Sequence, residues 1–411
     1  MRFLRGLFLY PAALLLAGLV CLWPVAAGRT CAALEQGSVA RAPEKDDGEA
    51  DEFPGGEARF SAVRSFRGGV RREAAEQAAF LAAHLEACFY AGNALLRAEN
   101  PLFAALGDSS RENLPAALAW LIFPPNPEKI EVYGFPPHIG VRAGLVLKKS
   151  GRERELLREA LKDMELVLTH QAIFSRLCRL LENYDRVAGE IFALPPPGMD
   201  AQASGAERPP DVRTPQNADE QASLSTALRK ITDNMQALRI LAGILPLSQA
   251  PDKGPDLRHP DKENLGHLEK ELDKALELAP EDPIVLTAAA GFTLHLDRPA
   301  RAQEYAERAL ATAPDYAPAH DVQGAILLRR GLPRLALRSF DRAVASGARN
   351  PAFPAHRAYA HFVLEEYADM CADFQTACAL GDCEGLRRAK ESGKCPPPDE
   401  VRDGAPEKRL R

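Results

Sequence analysis

The sequence predicts an all-α protein, a helical N-terminal domain followed by a C-terminal α-solenoid of helix pairs that ends in a short terminal helix. Three observations carry this expectation. Between residues 283 and 382 one pattern recurs three times at a spacing of 34 residues, with mostly small residues at matched positions: Ala290, Gly324 and Ala358; Ala302, Ala336 and Met370; Ala309, Ala343 and Ala377. Hydrophobic residues make up 46% of the 411-residue chain but aromatic residues only 7%, which suits helices packed closely on alanine and leucine. Apolar residues elsewhere fall at helical spacing, in stretches bounded by Pro-rich breaks. The length allows two or three domains with sizeable cores. A net charge of -6 without a long basic run excludes a nucleic-acid footprint, which needs clustered Lys and Arg.

Residues 1–28 read as an export signal. Arg2 and Arg5 precede an uncharged run from Leu7 to Ala27, and Val25-Ala26-Ala27 offers small residues for cleavage. The run is 21 residues long, close to the ~20 that span a bilayer, so residues 7–27 are either cleaved or kept as a membrane anchor. Both outcomes send the remainder across the membrane, to a periplasmic, secreted or membrane-anchored location. An oxidising compartment permits disulfides among the 8 cysteines.

Residues 29–69 are expected to be a disordered acidic spacer, with Glu44, Asp46, Asp47, Glu49, Asp51 and Glu52 among Gly and Pro. Residues 70–194 read as a helical domain of no recognised family. Its first helix runs over 70–99, with Ala74, Ala78, Leu81, Leu85, Cys88, Gly92 and Leu95 on one stripe, and ends at Asn100-Pro101. A shorter helix spans Leu114 to Phe123, with Pro115 in its first turn. Lys129 to Phe135 and Ile139 to Leu147 are the segments where sheet is expected. Two helices follow, about Arg152 to His170 and Gln171 to Ala193, or one helix in which they are fused, the second part with Phe174, Cys178, Leu181, Tyr184, Ala188 and Ile191 on one face. Cys88 and Cys178 read as buried thiols, with a bridge between them as the alternative.

Residues 195–217 are a linker by composition, with Pro195, Pro196, Pro197, Pro209, Pro210 and Pro215. The helix from Ala218 to Leu245 sets Leu224, Leu228, Ile231, Met235, Leu238, Ala242 and Leu245 at alternating steps of four and three, a coiled-coil-like seam. That seam packs either inside its own chain or against a second copy as a homodimer. After a polar break from Ser248 to Lys262, Leu265 to Ala279 places Leu268, Leu272 and Ala275 where the second helix of a further repeat would have them.

The 34-residue period, the small residues above, Phe340 and Phe374 at matched positions, and Pro280 and Pro314 closing their units resemble the tetratricopeptide repeat, over residues about 249–382. The resemblance implies antiparallel helix pairs stacked into a superhelix whose first helices line a concave groove for a protein or peptide. Carrying the groove positions over suggests Thr287, Ala288, Gly291, Leu294 and His295 from the first repeat. The second offers Asp321, Val322, Ala325, Leu328 and Arg329, and the third His356, Tyr359, Phe362 and Val363. Members that clamp a terminal carboxylate use Lys, Arg and Asn here, and Asp321 stands where a cation or amide would be needed.

Such arrays need a solvated terminal helix, and Asp382 to Ser392 fits, with Leu386 and Ala389 inward and Glu384, Arg387, Arg388, Lys390 and Glu391 outward. Cys371 and Cys378 share a helix face about 10.5 Å apart, too far to bridge. If the terminal helix runs back antiparallel, Cys378 meets Cys383 and Cys371 meets Cys395. A Cys383–Cys395 bridge is the competing connectivity, and a four-cysteine zinc site the rival without a CxxC pair. The stapled solenoid thus occupies residues 218–395, and 396–411 form a polar tail.

No catalytic or cofactor motif is present: no HExxH, CxxCH, GxSxG or GxGxxG. His356 and His361 are five apart and share no helix face. The expectation is a non-catalytic, exported scaffold for a protein or peptide partner. The alternatives are a structural protein that assembles with itself through the 218–245 helix and the repeats, or an enzyme using residues 70–194.

Overall fold

The computed structural model describes residues 57–66, 69–98, 113–123, 126–128, 130–135, 138–148, 151–162, 164–193, 214–244, 262–346 and 349–395. The residues read as an export signal, those of the expected acidic spacer before 57, most of the expected linker and the tail after 395 lie outside the described residues. The fold is predominantly helical, and consecutive helices pack on one another in a solenoid-like succession. No helix among the described residues is long and apolar enough to cross a membrane.

The N-terminal part adds a small sheet to the expected helices. Strand β1 (Glu57–Ser65) pairs antiparallel with the long strand β4 (His138–Lys148), Phe60 opposite Leu145. On its other side β4 pairs with β2 (Asn126–Pro127) and β3 (Glu131–Phe135). Sheet therefore forms at both segments where it was expected, and also at 57–65, the end of the stretch read as spacer. There, Ala58, Phe60 and Ala62 alternate with exposed Arg59, Ser61 and Val63. So short and sparsely apolar an alternation is stable only on a partner strand far along the chain.

Helix α1 (Arg72–Ala98) covers this sheet with its predicted stripe, Ala74, Ala78, Leu81, Leu85, Cys88 and Leu95 all buried. Gly92 is the crossing point with α2 (Leu114–Ile122): a Cβ there would lie 2.5 Å from the backbone of Pro115. Helix α3 (Glu153–Lys162) precedes α4 (Met164–Ala193), which runs straight through His170 with no boundary there. His170 is buried because it is a joint. Its Nδ1 donates to the Leu166 carbonyl at 3.0 Å, and Nε2 lies 3.4 Å from the Ala242 carbonyl of the next helix. Cys88 and Cys178 are buried thiols outside any disulfide, the first of the two readings given for them.

Helix α5 (Thr214–Ile244) carries the heptad seam up to Ala242, Leu245 lying outside the described residues, and this part of the seam packs within the chain. Leu228, Met235, Leu238 and Ala242 are buried, Leu224 and Ile231 pack on the same core, and the helix lies against α4 and α6 (Lys262–Leu278). Leu268, Leu272 and Ala275 of α6 are buried, as the repeat register requires. One hydrophobic core extends from Ala62 to Ile326, so the described residues on either side of the Pro-rich stretch share it.

Three helix pairs follow: α7 (Pro283–His295) with α8 (Pro299–Thr312), α9 (Ala317–Arg329) with α10 (Pro333–Ala345), and α11 (Ala352–Val363) with α12 (Tyr367–Ala379). The 34-residue period reappears in the backbone. Asp297, Gly331 and Glu365 are left-handed, with φ of 58°, 76° and 62°. One residue later, Arg298, Leu332 and Glu366 donate their N–H to the carbonyls of Thr293, Leu327 and His361 at 3.0, 3.0 and 2.9 Å. This is one C-terminal capping arrangement used three times, although glycine, the residue it favours, is present only once. Close packing explains the small residues: a Cβ on Gly324 would lie 2.5 Å from the Phe340 ring. The last helix, α13 (Glu384–Glu391), buries Gly385 and Ala389 and leaves its charged residues outward or at the rim.

Candidate functional site

The expected groove is built by α7, α9 and α11, and its availability differs sharply along the array. On α7, Ile284 to Leu294 are all buried, so Thr287, Ala288, Gly291 and Leu294 are packing residues rather than a surface. Asp282 fixes the start of α7: its side chain accepts from the N–H of Ile284 at 3.0 Å and from Arg176 of α4 at 3.3 Å. The N-terminal part of the chain thus sits directly at the first repeat. His295, at the far end of α7, is half-buried, and burial, with Arg329 beside it, lowers its pKa.

On α9, Asp321 is 1% exposed and Val322 2% exposed, so neither offers a face to a partner. Asp321 reaches across to α11, where His356 Nδ1 lies 2.8 and 3.0 Å from its two carboxylate oxygens. Burial pushes the His356 pKa down, but the charge and hydrogen bond of Asp321, helped by the charge of Asp382, outweigh it, and the net direction is up. The pair is a cross-brace between adjacent repeats. Arg329 does the same one repeat earlier, donating to Asp297 at 3.0 Å.

Apolar positions of the expected groove remain open towards the C-terminal ends of α9 and α11. Leu328, Tyr359 and Phe362 are partly exposed, and Val363 is 42% exposed. Tyr359 meets Phe374 edge-on with ring centroids 5.3 Å apart, and Phe362 lies 6.3 Å from Tyr367, so both aromatics are held by α12 behind them. Of the residues named for the groove, the structure brings Arg329, Tyr359 and Phe362 to an accessible surface, leaves His295 and His356 at its margin, and buries Asp321 and Val322.

Sequence reasoning missed the polar lock under this surface. Arg357 of α11 donates to both oxygens of Asp373 on α12, at 2.8 and 2.6 Å, and to Asp341 on α10 at 2.9 Å. Hydrogen bonding to Asp373 outweighs desolvation and raises the Arg357 pKa, fixing its charge. Beside it His361 donates from Nδ1 to Glu366 at 2.8 Å. Donors of His361, Glu366 and Asp369 come within 4.8 Å of one another, but the histidine proton already satisfies Glu366. The partners lie 16 residues apart or in adjacent helices, a spacing that no motif flags.

The cysteines pair as the antiparallel geometry required. Cys371 bonds Cys395 with Cα atoms 5.7 Å apart, and Cys378 bonds Cys383 at 4.0 Å. The four sulfurs thus pair as Cys371–Cys395 and Cys378–Cys383 and not as Cys383–Cys395. No protein-family model matches the chain, and no curated protein matches it as a relative.

Proposed function

We propose that this chain is an exported, non-catalytic scaffold of tetratricopeptide-like repeats that binds a protein or peptide at the C-terminal part of its groove. The observation that carries the reading is the accessible apolar set Leu328, Tyr359, Phe362 and Val363, bordered by Arg329 and held from behind by Phe374 and Tyr367. Aromatic residues fixed by a rigid second layer are the kind of anchor that dominates protein interfaces, because little side-chain entropy is lost on binding. The disulfide-bonded cysteines support a location in an oxidising compartment. Self-assembly through the α5 seam draws less support, since Leu228, Met235, Leu238 and Ala242 are already buried on a helix that lies against α4 and α6.

The test is a photocrosslinking residue introduced at Val363 in the full chain, with Leu335 of the outer surface as the control position. A specific adduct from envelope extract at Val363 alone, lost on Tyr359→Ala plus Phe362→Ala with helix content kept, is the expected result. The same adducts from both positions, or adducts unaffected by the double substitution, would refute the site.

A further inference from the structure

We propose that α13 is a latched cap: the Cys371–Cys395 disulfide is the latch, the Cys378–Cys383 turn is the hinge, and reduction of the latch lets the helix leave α12. The inference stands whether or not the groove binds a partner.

Among the described residues, α13 is held by a short apolar contact and by the two disulfides. A helix of eight residues is not stable by itself in water, because nucleation costs more than two turns return. The ion pairs of Arg387 with Glu384 and Glu391, and of Arg388 with Glu384, lie within the helix. Its apolar contact is made by Gly385, Ala389 and the partly buried Leu386. Gly385 rests on the Phe374 ring so closely that a Cβ would lie 2.3 Å from it, and Ala389 joins Ala358, Met370 and Phe374. Beyond the helix, Lys394 donates to the Tyr367 hydroxyl at 2.8 Å and lies 4.1 Å from the ring centroid.

The two disulfides divide the work by position. Cys378 and Cys383 are 5 residues apart and join the end of α12 to the residue before α13, where the Gly381 turn already keeps them close. Cys371 and Cys395 are 24 apart and fasten the segment just past α13 back to the N-terminal half of α12. Breaking the short loop changes little about where α13 can go. Breaking the long one frees the helix to swing about the turn and uncovers Phe374 and Met370. Cys395 is 4% exposed while Cys371 is partly exposed, which directs attack to the Cys371 sulfur.

A thiolate of a dithiol reductant forms a bond to Cys371 Sγ as the S–S bond breaks, and Cys395 leaves as a thiolate and takes up a proton. The second thiol of the reductant then displaces Cys371, closing the reductant's own disulfide. Two electrons and two protons pass to the protein in all.

Hydrogen exchange of the full chain, followed over 384–395 with and without dithiothreitol, tests this. Reduction of the wild type should speed exchange there at least tenfold while α9 and α11 keep theirs. Cys378→Ser with Cys383→Ser should stay slow until reduced, and Cys371→Ser with Cys395→Ser should be fast under both conditions. Exchange that stays slow in the reduced wild type overturns the latch. So does fast exchange in oxidised Cys378→Ser with Cys383→Ser, which would make the hinge the fastening. Should the Cys371→Ser, Cys395→Ser variant lose its helix content, the reduced wild type alone decides.

Discussion

Lowering the pH from 7 to 5 should destabilise this protein by an amount that two buried histidines set. His84 and His170 are each 2% exposed. Burial, with Arg239 nearby, takes the His84 pKa from 6.5 down to about 3. Burial takes His170 to about 4, partly opposed by its two backbone carbonyls. Both rings are therefore neutral in the fold, while in the unfolded chain they take up protons as the pH drops below 6.5. The unfolded state binds more protons, so stability falls with pH between the unfolded and folded values. At pH 5 linkage gives about 2 kcal/mol lost per histidine, about 4 kcal/mol together. His356 works the other way. Its folded pKa is raised, so its contribution is complete below its unfolded value and is lost as pH rises through the folded one.

Urea denaturation at pH 7, 6 and 5, comparing the wild type with His84→Phe, measures the effect. Phenylalanine preserves the stack on Trp120, where ring centroids lie 4.0 Å apart, and removes no hydrogen bond at Nε2, which has no partner. The variant should match the wild type at pH 7 or exceed it, and should lose roughly half of the pH sensitivity, about 2 kcal/mol at pH 5. An unchanged pH dependence in His84→Phe would refute the account.

Two further outcomes follow from the repeats. Glu365→Gly should stabilise the fold by about 1 kcal/mol, because a left-handed position costs a side-chain-bearing residue what glycine does not lose, and a rise in melting temperature reads it. Arg357→Leu should cost about 3 kcal/mol by urea denaturation, since it strands the Asp373 carboxylate, 7% exposed, beside His361 at 3.8 Å. Adding Asp373→Leu should recover part of that loss; no recovery would show that the lock is not the source.

What the sequence makes legible is whatever repeats or alternates over a long stretch. The helical stripe over Ala74 to Leu95 and the burial of the small residues at 302, 309, 336, 343 and 377 follow from period alone. The pairing of four cysteines follows from the length of one helix and the direction of the next. Strand β1 does not, because its stability belongs to β4 and its own apolar signal is three residues long. Continuity at His170, one of two readings of the sequence, is decided by a contact far along the chain, the Ala242 carbonyl that lies 3.4 Å from its ring. The groove was legible only through the tetratricopeptide-repeat resemblance, which implies an inward face for each first helix. Whether that face is open depends on what the N-terminal part covers and on pairs such as Asp321 with His356, which only the folded chain brings together.

The continuity of the core across the Pro-rich stretch has a practical meaning. Arg176 on Asp282, and His170 beside the Ala242 carbonyl, tie together pieces from either side of residues 194–213 without using the backbone between them. Covalent connection there is then dispensable once folding is complete: a single cut would leave two polypeptides that stay associated as one particle. A fragment beginning at residue 218 would instead be a torn surface, with the α5 leucines that face α4 turned to water.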